Sequence, residues 1–205
     1  MSSLPLFIPM IGFMFVAAIT PGPNNIMLAS SGANFGFRRT IPHFMGVTFG
    51  FFVLMLLVSL GLGVLFEQFP MLQQIFRAAA LCFILYLAWR IANSGKSAGA
   101  SKRARPINFI EAASFQLINP KGVVMAITVN ATFISPDAAY APQIIALVGM
   151  FTLLTLISVM SWAGFGLVIG RFIQTDRRQT VFNVTMAILL LVSIMPVAVD
   201  MLAQL

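Results

Sequence analysis

The sequence predicts an all-α integral membrane protein of six transmembrane helices, built as two inverted three-helix repeats whose first and fourth helices are broken. Three observations predict it: very little charge along 205 residues, six apolar runs of spanning length, and a proline-rich interruption at the matching place in each half. Only 8% of the residues are charged and 60% are hydrophobic, against about 25% charge in soluble domains, so there is too little charge to cover a water-facing surface. The net charge of +7 does not indicate nucleic acid, because the basic residues are scattered between apolar runs; a topological cause is expected instead. The single cysteine, Cys82, rules out an internal disulfide, a CxxC redox pair and a multi-cysteine zinc site.

A spanning helix needs about 20 mostly apolar residues. The runs that satisfy this are Leu6–Leu28, Ile41–Leu65, Leu72–Ala92, Phe109–Phe133, Pro142–Ile169 and Val181–Leu205. The first lacks a basic n-region and is too long for the apolar core of a signal peptide, so it reads as a retained helix. The low-complexity stretch NSGKSAGASKRARP divides the chain. One transmembrane domain over 1–205 is therefore expected, with repeats at 1–92 and 109–205 and a basic cytoplasmic linker at 93–108.

The basic residues orient the spans. Arg38 and Arg39 follow span one; Arg90, Lys96, Lys102, Arg103 and Arg105 lie at or in the central linker; Arg171, Arg177 and Arg178 separate spans five and six. The even-numbered connections hold Glu67 and Asp137 and no lysine or arginine. The positive-inside rule makes the odd connections cytoplasmic, which places both termini outside the cytoplasm. Two basic residues stand apart. Arg77, near the outer start of span three, can snorkel to the headgroups. Lys121 lies next to Pro120, about 17 Å into a hydrocarbon core about 30 Å thick, where ionisable groups are costly and mark functional sites.

The breaks are Thr20-Pro21-Gly22-Pro23-Asn24-Asn25 in span one and Asn119-Pro120-Lys121-Gly122 in span four. Each half has an odd number of spans, so the second half is inserted upside down relative to the first. In transporters of that design, discontinuous helices at corresponding positions form a midplane substrate site. Proline removes an N–H and frees carbonyls in the turn before it. Such carbonyls suit an ammonium group, and the half-helix that follows presents free N–H groups to an anion. A zwitterionic amino acid offers one of each. Asn24, Asn25, Gln116 and Asn119 add amides, and Lys121 adds a positive charge for a carboxylate. A simple kink satisfied by neighbouring Ser and Thr is the competing reading of either break alone; the matched pair favours a site.

These residues also carry a resemblance. AITPGPNNIMLASSGANFGFRRTIPHFMGVTFGF, Ala18 to Phe51, resembles the first signature of the lysine-exporter (LysE) superfamily, in its RhtB-type amino-acid exporter branch. ASFQLINPKGVVMAI, Ala113 to Ile127, resembles the second. The resemblance implies export of amino acids or their derivatives from the bacterial cytoplasm across the inner membrane, driven by the proton gradient. The doubled asparagine, Asn24–Asn25, resembles the subgroup that exports cysteine and O-acetylserine.

Two further residues are candidates for proton coupling: Glu111, about one turn into span four, and His43, the only histidine, whose ordinary pKa permits proton handling near neutrality. Gly46 and Gly50, and Gly164, Gly166 and Gly170, are spaced for close helix packing, within one subunit or in a homodimer. No HExxH, GxSxG or vicinal cysteine pair is present, so an enzyme is not expected, nor a metal or cofactor. The expected partners are a small amino acid, protons and the lipid bilayer. A channel or a non-transporting scaffold is the alternative to an exporter.

Overall fold

The computed structural model describes residues 4–94, 105–135, 139–173 and 175–202, and every regular element in them is helical. Lys96, Lys102, Arg103 and Asp137, used above to orient the chain, lie outside the described residues. The helices are α1 (Leu4–Ile19), α2 (Pro23–Phe35), α3 (Phe37–Leu57), α4 (Gly63–Gln68), α5 (Pro70–Ala92), α6 (Phe109–Ile118), α7 (Pro120–Phe133), α8 (Tyr140–Phe172) and α9 (Asp176–Leu202). A π-helical stretch, Val58–Leu62, joins α3 to α4; Gly61 there has φ 113°, a left-handed conformation that glycine adopts without steric cost.

Among the described residues, four helices are long and apolar enough to cross a membrane: Phe37–Phe66, Pro70–Ala92, Tyr140–Phe172 and Asp176–Met201. A fifth crossing is available from α1 and α2, which are bent by 55° at their break. The helices α6 and α7 meet end to end at Asn119, and neither spans alone. On α9, Val181, Ile188, Val192, Met195 and Val199 are all exposed, which is the surface a helix presents to lipid rather than to water.

Local chemistry sets the helix ends. Pro23, Pro70 and Pro120 each open a helix at a position whose N–H has no intrahelical acceptor. Gly36, at φ 77°, ends α2 and lets α3 start one residue later. Asn108 and Glu111 form a reciprocal capping box on α6: the Glu111 N–H donates to Asn108 Oδ1 at 2.8 Å, and the Asn108 N–H donates to Glu111 Oε2 at 2.9 Å. Span one was expected to close at Leu28, but the helix continues to Phe35, because Ser30, Ser31 and Asn34 find partners inside the bundle.

One end of the bundle gathers the basic residues and is tied by polar contacts. Glu111 takes two hydrogen bonds from Arg105, at 2.8 and 2.7 Å, and one from Arg90 at 3.3 Å. The hydrogen bond to Glu111 raises the Arg105 pKa further above its already high ordinary value, so the pair persists at physiological pH. Nearby, Asn34 donates to Asn183 Oδ1 at 2.8 Å, Gln179 donates to Asn34 Oδ1 at 3.2 Å, and Asn183 donates to the Ser94 carbonyl. These contacts join α2, α5 and α9. At the opposite end Ser59 donates to Asn130 Oδ1 at 2.7 Å and the Tyr140 hydroxyl donates to the Ser59 carbonyl.

Small residues let two helix pairs touch backbone to backbone. A Cβ at Gly32 would overlap the Ala163 carbonyl, and one at Gly166 would overlap the Ala29 carbonyl, so α2 lies directly on α8. Gly46 and Gly50 admit the Phe109 and Ala113 carbonyls, which seats α6 on α3. The expected glycine packing is thus found within the subunit, except at Gly164, where a Cβ would meet nothing.

These contacts generate a paired prediction. Gly166→Leu overpacks the α2–α8 contact at a cost of about 1–3 kcal/mol or more, and the purified protein unfolds at a markedly lower temperature. Gly164→Ala leaves the unfolding temperature near that of the wild type. Equal shifts from the two substitutions would refute the close-contact account.

Candidate functional site

Pro21 and Pro23 remove the N–H groups that would have bonded the Ala17 and Ile19 carbonyls one helical turn back. The helix nevertheless runs cleanly to its end, where the Thr20 N–H donates to the Val16 carbonyl at 3.0 Å. Beyond that point the Ala18, Ile19 and Thr20 carbonyls find side-chain donors. Asn25 donates to the Ala18 and Thr20 carbonyls at 3.0 and 2.9 Å. Ser158 donates to the Ala18 carbonyl at 2.8 Å, and Trp162 Nε1 donates to the Ile19 carbonyl at 3.0 Å. Lys121 Nζ reaches across from the other break to donate to the Thr20 carbonyl at 2.6 Å.

At the second break Pro120 withholds a donor from the Gln116 carbonyl, and the Asn119 N–H takes it in a long bond of 3.4 Å. The break therefore tightens by one residue instead of opening fully. Asn119 serves as the cap residue of α7 without a side-chain capping bond, which leaves its amide for other contacts.

The two breaks face one another across a cavity of about 50 Å³. That volume holds a few waters, at about 10–15 Å³ per water position. Its polar lining is Asn24, Asn25, Gln116, Asn119, Lys121, Thr155 and Ser158; Gly22, Pro23 and Gly122 supply backbone, and Val47, Phe51 and Met125 supply apolar wall. Gln116 and Asn119 are almost completely buried, yet Gln116 Nε2 and Asn119 Oδ1 have no hydrogen-bond partner; Asn24 Oδ1 is likewise buried and unpartnered. A buried polar atom without a partner costs about 1–3 kcal/mol, so three around one cavity mark a place built for a polar occupant.

Gly22 has a specific steric role here. A Cβ on it would stand 2.7 Å from Lys121 Cδ, so the bare glycine is the gap through which the lysine stem passes.

Of the residues singled out from sequence, Gly22, Pro23, Asn24, Asn25, Gln116, Asn119 and Lys121 converge on this cavity. Thr20 contributes its carbonyl, while its hydroxyl bonds back to Val16. Pro21 is exposed and Pro120 lines a different cavity, on the opposite face of the second break, with Arg77 and Asp200. The structure places Glu111 in the Arg90–Arg105 cluster and His43 in a fully buried pair with Ser31, Nδ1 to Oγ 2.9 Å; neither lines the cavity. Lys121, read from sequence as a positive charge for a substrate carboxylate, donates to the Thr20 carbonyl.

Sequence reasoning missed the contribution of α8. Thr155, Ser158 and Trp162 recur at helical spacing on one face of span five, a polar stripe in an apolar run that could have been noticed. What could not be read was its target, the frayed end of α1.

The fold and site thus define a multi-pass helical membrane protein with a polar cavity between two interrupted helices. The sequence pattern of the LysE type translocator family matches residues 15–203, and the chain belongs to that family. It is 30% identical over 181 residues to the cysteine/O-acetylserine efflux protein of Salmonella typhimurium (strain LT2), covering 87% of this chain and 90% of that protein. It is 29% identical, with the same coverage, to the cysteine/O-acetylserine efflux protein of Escherichia coli (strain K12). No solved structure matches the chain.

Asn25 is the donor that binds two of the exposed carbonyls, so Asn25→Ala is expected to cost about 1–3 kcal/mol. The measurement is the thermal unfolding of purified protein. Trp162→Phe, which removes one donor and keeps the ring, should cost about 0.5–1.5 kcal/mol. No change in either variant would show that water or lipid headgroups satisfy this helix end equally well.

Proposed function

We propose that this chain is a secondary exporter of small amino acids or their derivatives, of the cysteine and O-acetylserine kind, driven by protons moving inward across a bacterial inner membrane. In this reading the six apolar runs form six spans, α1–α2 and α6–α7 each counting as one, in two inverted repeats. The basic end of the bundle faces the cytoplasm, and both termini lie outside it. A homodimer in the membrane is compatible with the face at Gly164, where a Cβ would meet nothing within the subunit.

The observation that carries the reading is the convergence of both helix breaks on one cavity with three unpartnered amide atoms. Asn24 Oδ1 and Asn119 Oδ1 accept, as an ammonium group requires, and Gln116 Nε2 donates, as a carboxylate requires. The first N–H groups of α2 and α7 flank the same space and add positive potential for the carboxylate. The apolar wall of Val47, Phe51, Met125 and Val159 suits a short uncharged side chain. The relatives' names, cysteine/O-acetylserine efflux protein, support the same class of solute.

The test is efflux from proteoliposomes loaded with O-acetyl-L-serine, with and without an inward proton gradient. Wild type should export, faster with the gradient. Asn119→Leu removes a buried acceptor from the site and should lower transport about tenfold or more, since a hydrogen bond to a charged group contributes about 1.5–3 kcal/mol. Absence of flux from wild-type protein under every gradient, across a panel of small amino acids, would sink the proposal. Conduction in planar bilayers at rates beyond a carrier would replace it with a channel.

A further inference from the structure

Lys121 extends from α7 over Gly22 and places its ammonium 2.6 Å from the Thr20 carbonyl, at the broken end of α1. That carbonyl also accepts from Asn25, but it has a second lone pair, and a carbonyl at a helix C-terminus is a natural partner, alongside the Asn24 and Asn119 amide oxygens, of a substrate ammonium group. The protein's own ammonium therefore sits where a substrate's would. We propose that protonated Lys121 and the substrate ammonium compete for the Thr20 carbonyl, so that Lys121 carries the proton exchanged for substrate; this rests on the exporter reading above.

Three observations support it. At about 50 Å³ the cavity holds only a few waters while the lysine stem lines it. Withdrawal of that stem frees both the volume and the acceptor. Among the described residues no carboxylate lines the cavity, and Lys121 is the only titratable group in its lining. The titratable groups on the neighbouring elements lie off this cavity: His43 of α3 pairs with Ser31, Glu111 of α6 pairs with Arg90 and Arg105, Arg77 of α5 and Asp200 of α9 line the separate cavity beside Pro120, and Arg38, Arg39 and Arg171 are exposed. Two ammonium groups beside one carbonyl, with no protein carboxylate among the cavity's described lining residues, repel each other, and the substrate's own carboxylate is held away at Gln116 and the helix N-termini.

The exchange balances. As substrate enters from the cytoplasm, its ammonium takes the Thr20 carbonyl. The Lys121 N–H bond breaks, its electron pair stays on Nζ, and the proton passes to water on the cytoplasmic side. When substrate leaves outward, neutral Lys121 takes a proton from outside water and re-forms its bond to Thr20. One proton enters for each substrate exported.

The experiment is titration calorimetry on purified full-length protein, in buffers of differing ionisation enthalpy, between mildly acidic and neutral pH. The probes are O-acetyl-L-serine, O-acetylethanolamine (ammonium, no carboxylate) and acetoxypropanoate (carboxylate, no ammonium). Wild type should release about one proton for each amine probe bound, with affinity rising up to about tenfold per pH unit. Lys121→Met should bind both amines without proton release and with no pH slope. Lys121→Arg cannot shed its charge and should lose amine binding about tenfold or more. Binding of O-acetyl-L-serine to wild type with no proton released would overturn the inference, whether or not either variant folds. So would a Lys121→Met variant that loses O-acetyl-L-serine and acetoxypropanoate together but keeps O-acetylethanolamine, which would assign Lys121 to the carboxylate. Failure of the exporter reading is a separate result, the absence of wild-type flux in proteoliposomes.

Discussion

The structure depends on one constraint: a backbone carbonyl that has lost its helical donor inside a membrane must find another. Pro21 and Pro23 create that need at the end of α1, in a region where lipid offers no hydrogen bond. The donors come from three places in the chain: Asn25 just past the break, Ser158 and Trp162 on α8, and Lys121 at the second break. The two halves of the protein are joined at this point because neither can satisfy it alone.

The same constraint explains the packing of α8. Ser158 and Trp162 reach the end of α1 only if α8 runs close beside α2, which continues the same span. On the face that carries those donors, Ala163, Gly166 and Gly170 contact Gly32, Ala29 and Ala33 with no intervening side chains. Polar donors and small contact residues therefore share one helical stripe for related reasons. A larger residue at Gly166 would push α8 outward and carry the donors away from the carbonyls they bind.

Charge is distributed to match. Glu111, Arg90 and Arg105 neutralise one another where α5 and α6 approach the basic end of the bundle. The cavity between the breaks keeps a single charge, Lys121, among neutral amides, hydroxyls and apolar walls. A site with one cation and no fixed anion responds to the arrival of a second cation, whereas an ion-paired site would not. That contrast separates a structural charge cluster from one that can take part in exchange.

The sequence by itself determined that the chain is helical and membrane-embedded, because 60% hydrophobic residues in long uninterrupted runs cannot be buried any other way. It also determined the breaks at Pro21–Pro23 and at Pro120, since proline chemistry is local and needs no tertiary partner. Most of the residues that line the cavity were legible for the same reason: they lie beside those prolines. Tertiary structure alone decided what each of them touches. The role of Lys121 turned on the reach of its side chain past Gly22, and the role of α8 on its lying against a span more than a hundred residues away in sequence. Glu111 and His43 read as candidates for proton coupling in a one-dimensional list; folding gave one two arginines and enclosed the other with a serine. Those outcomes depend on distances between helices, which hydrophobic periodicity does not encode.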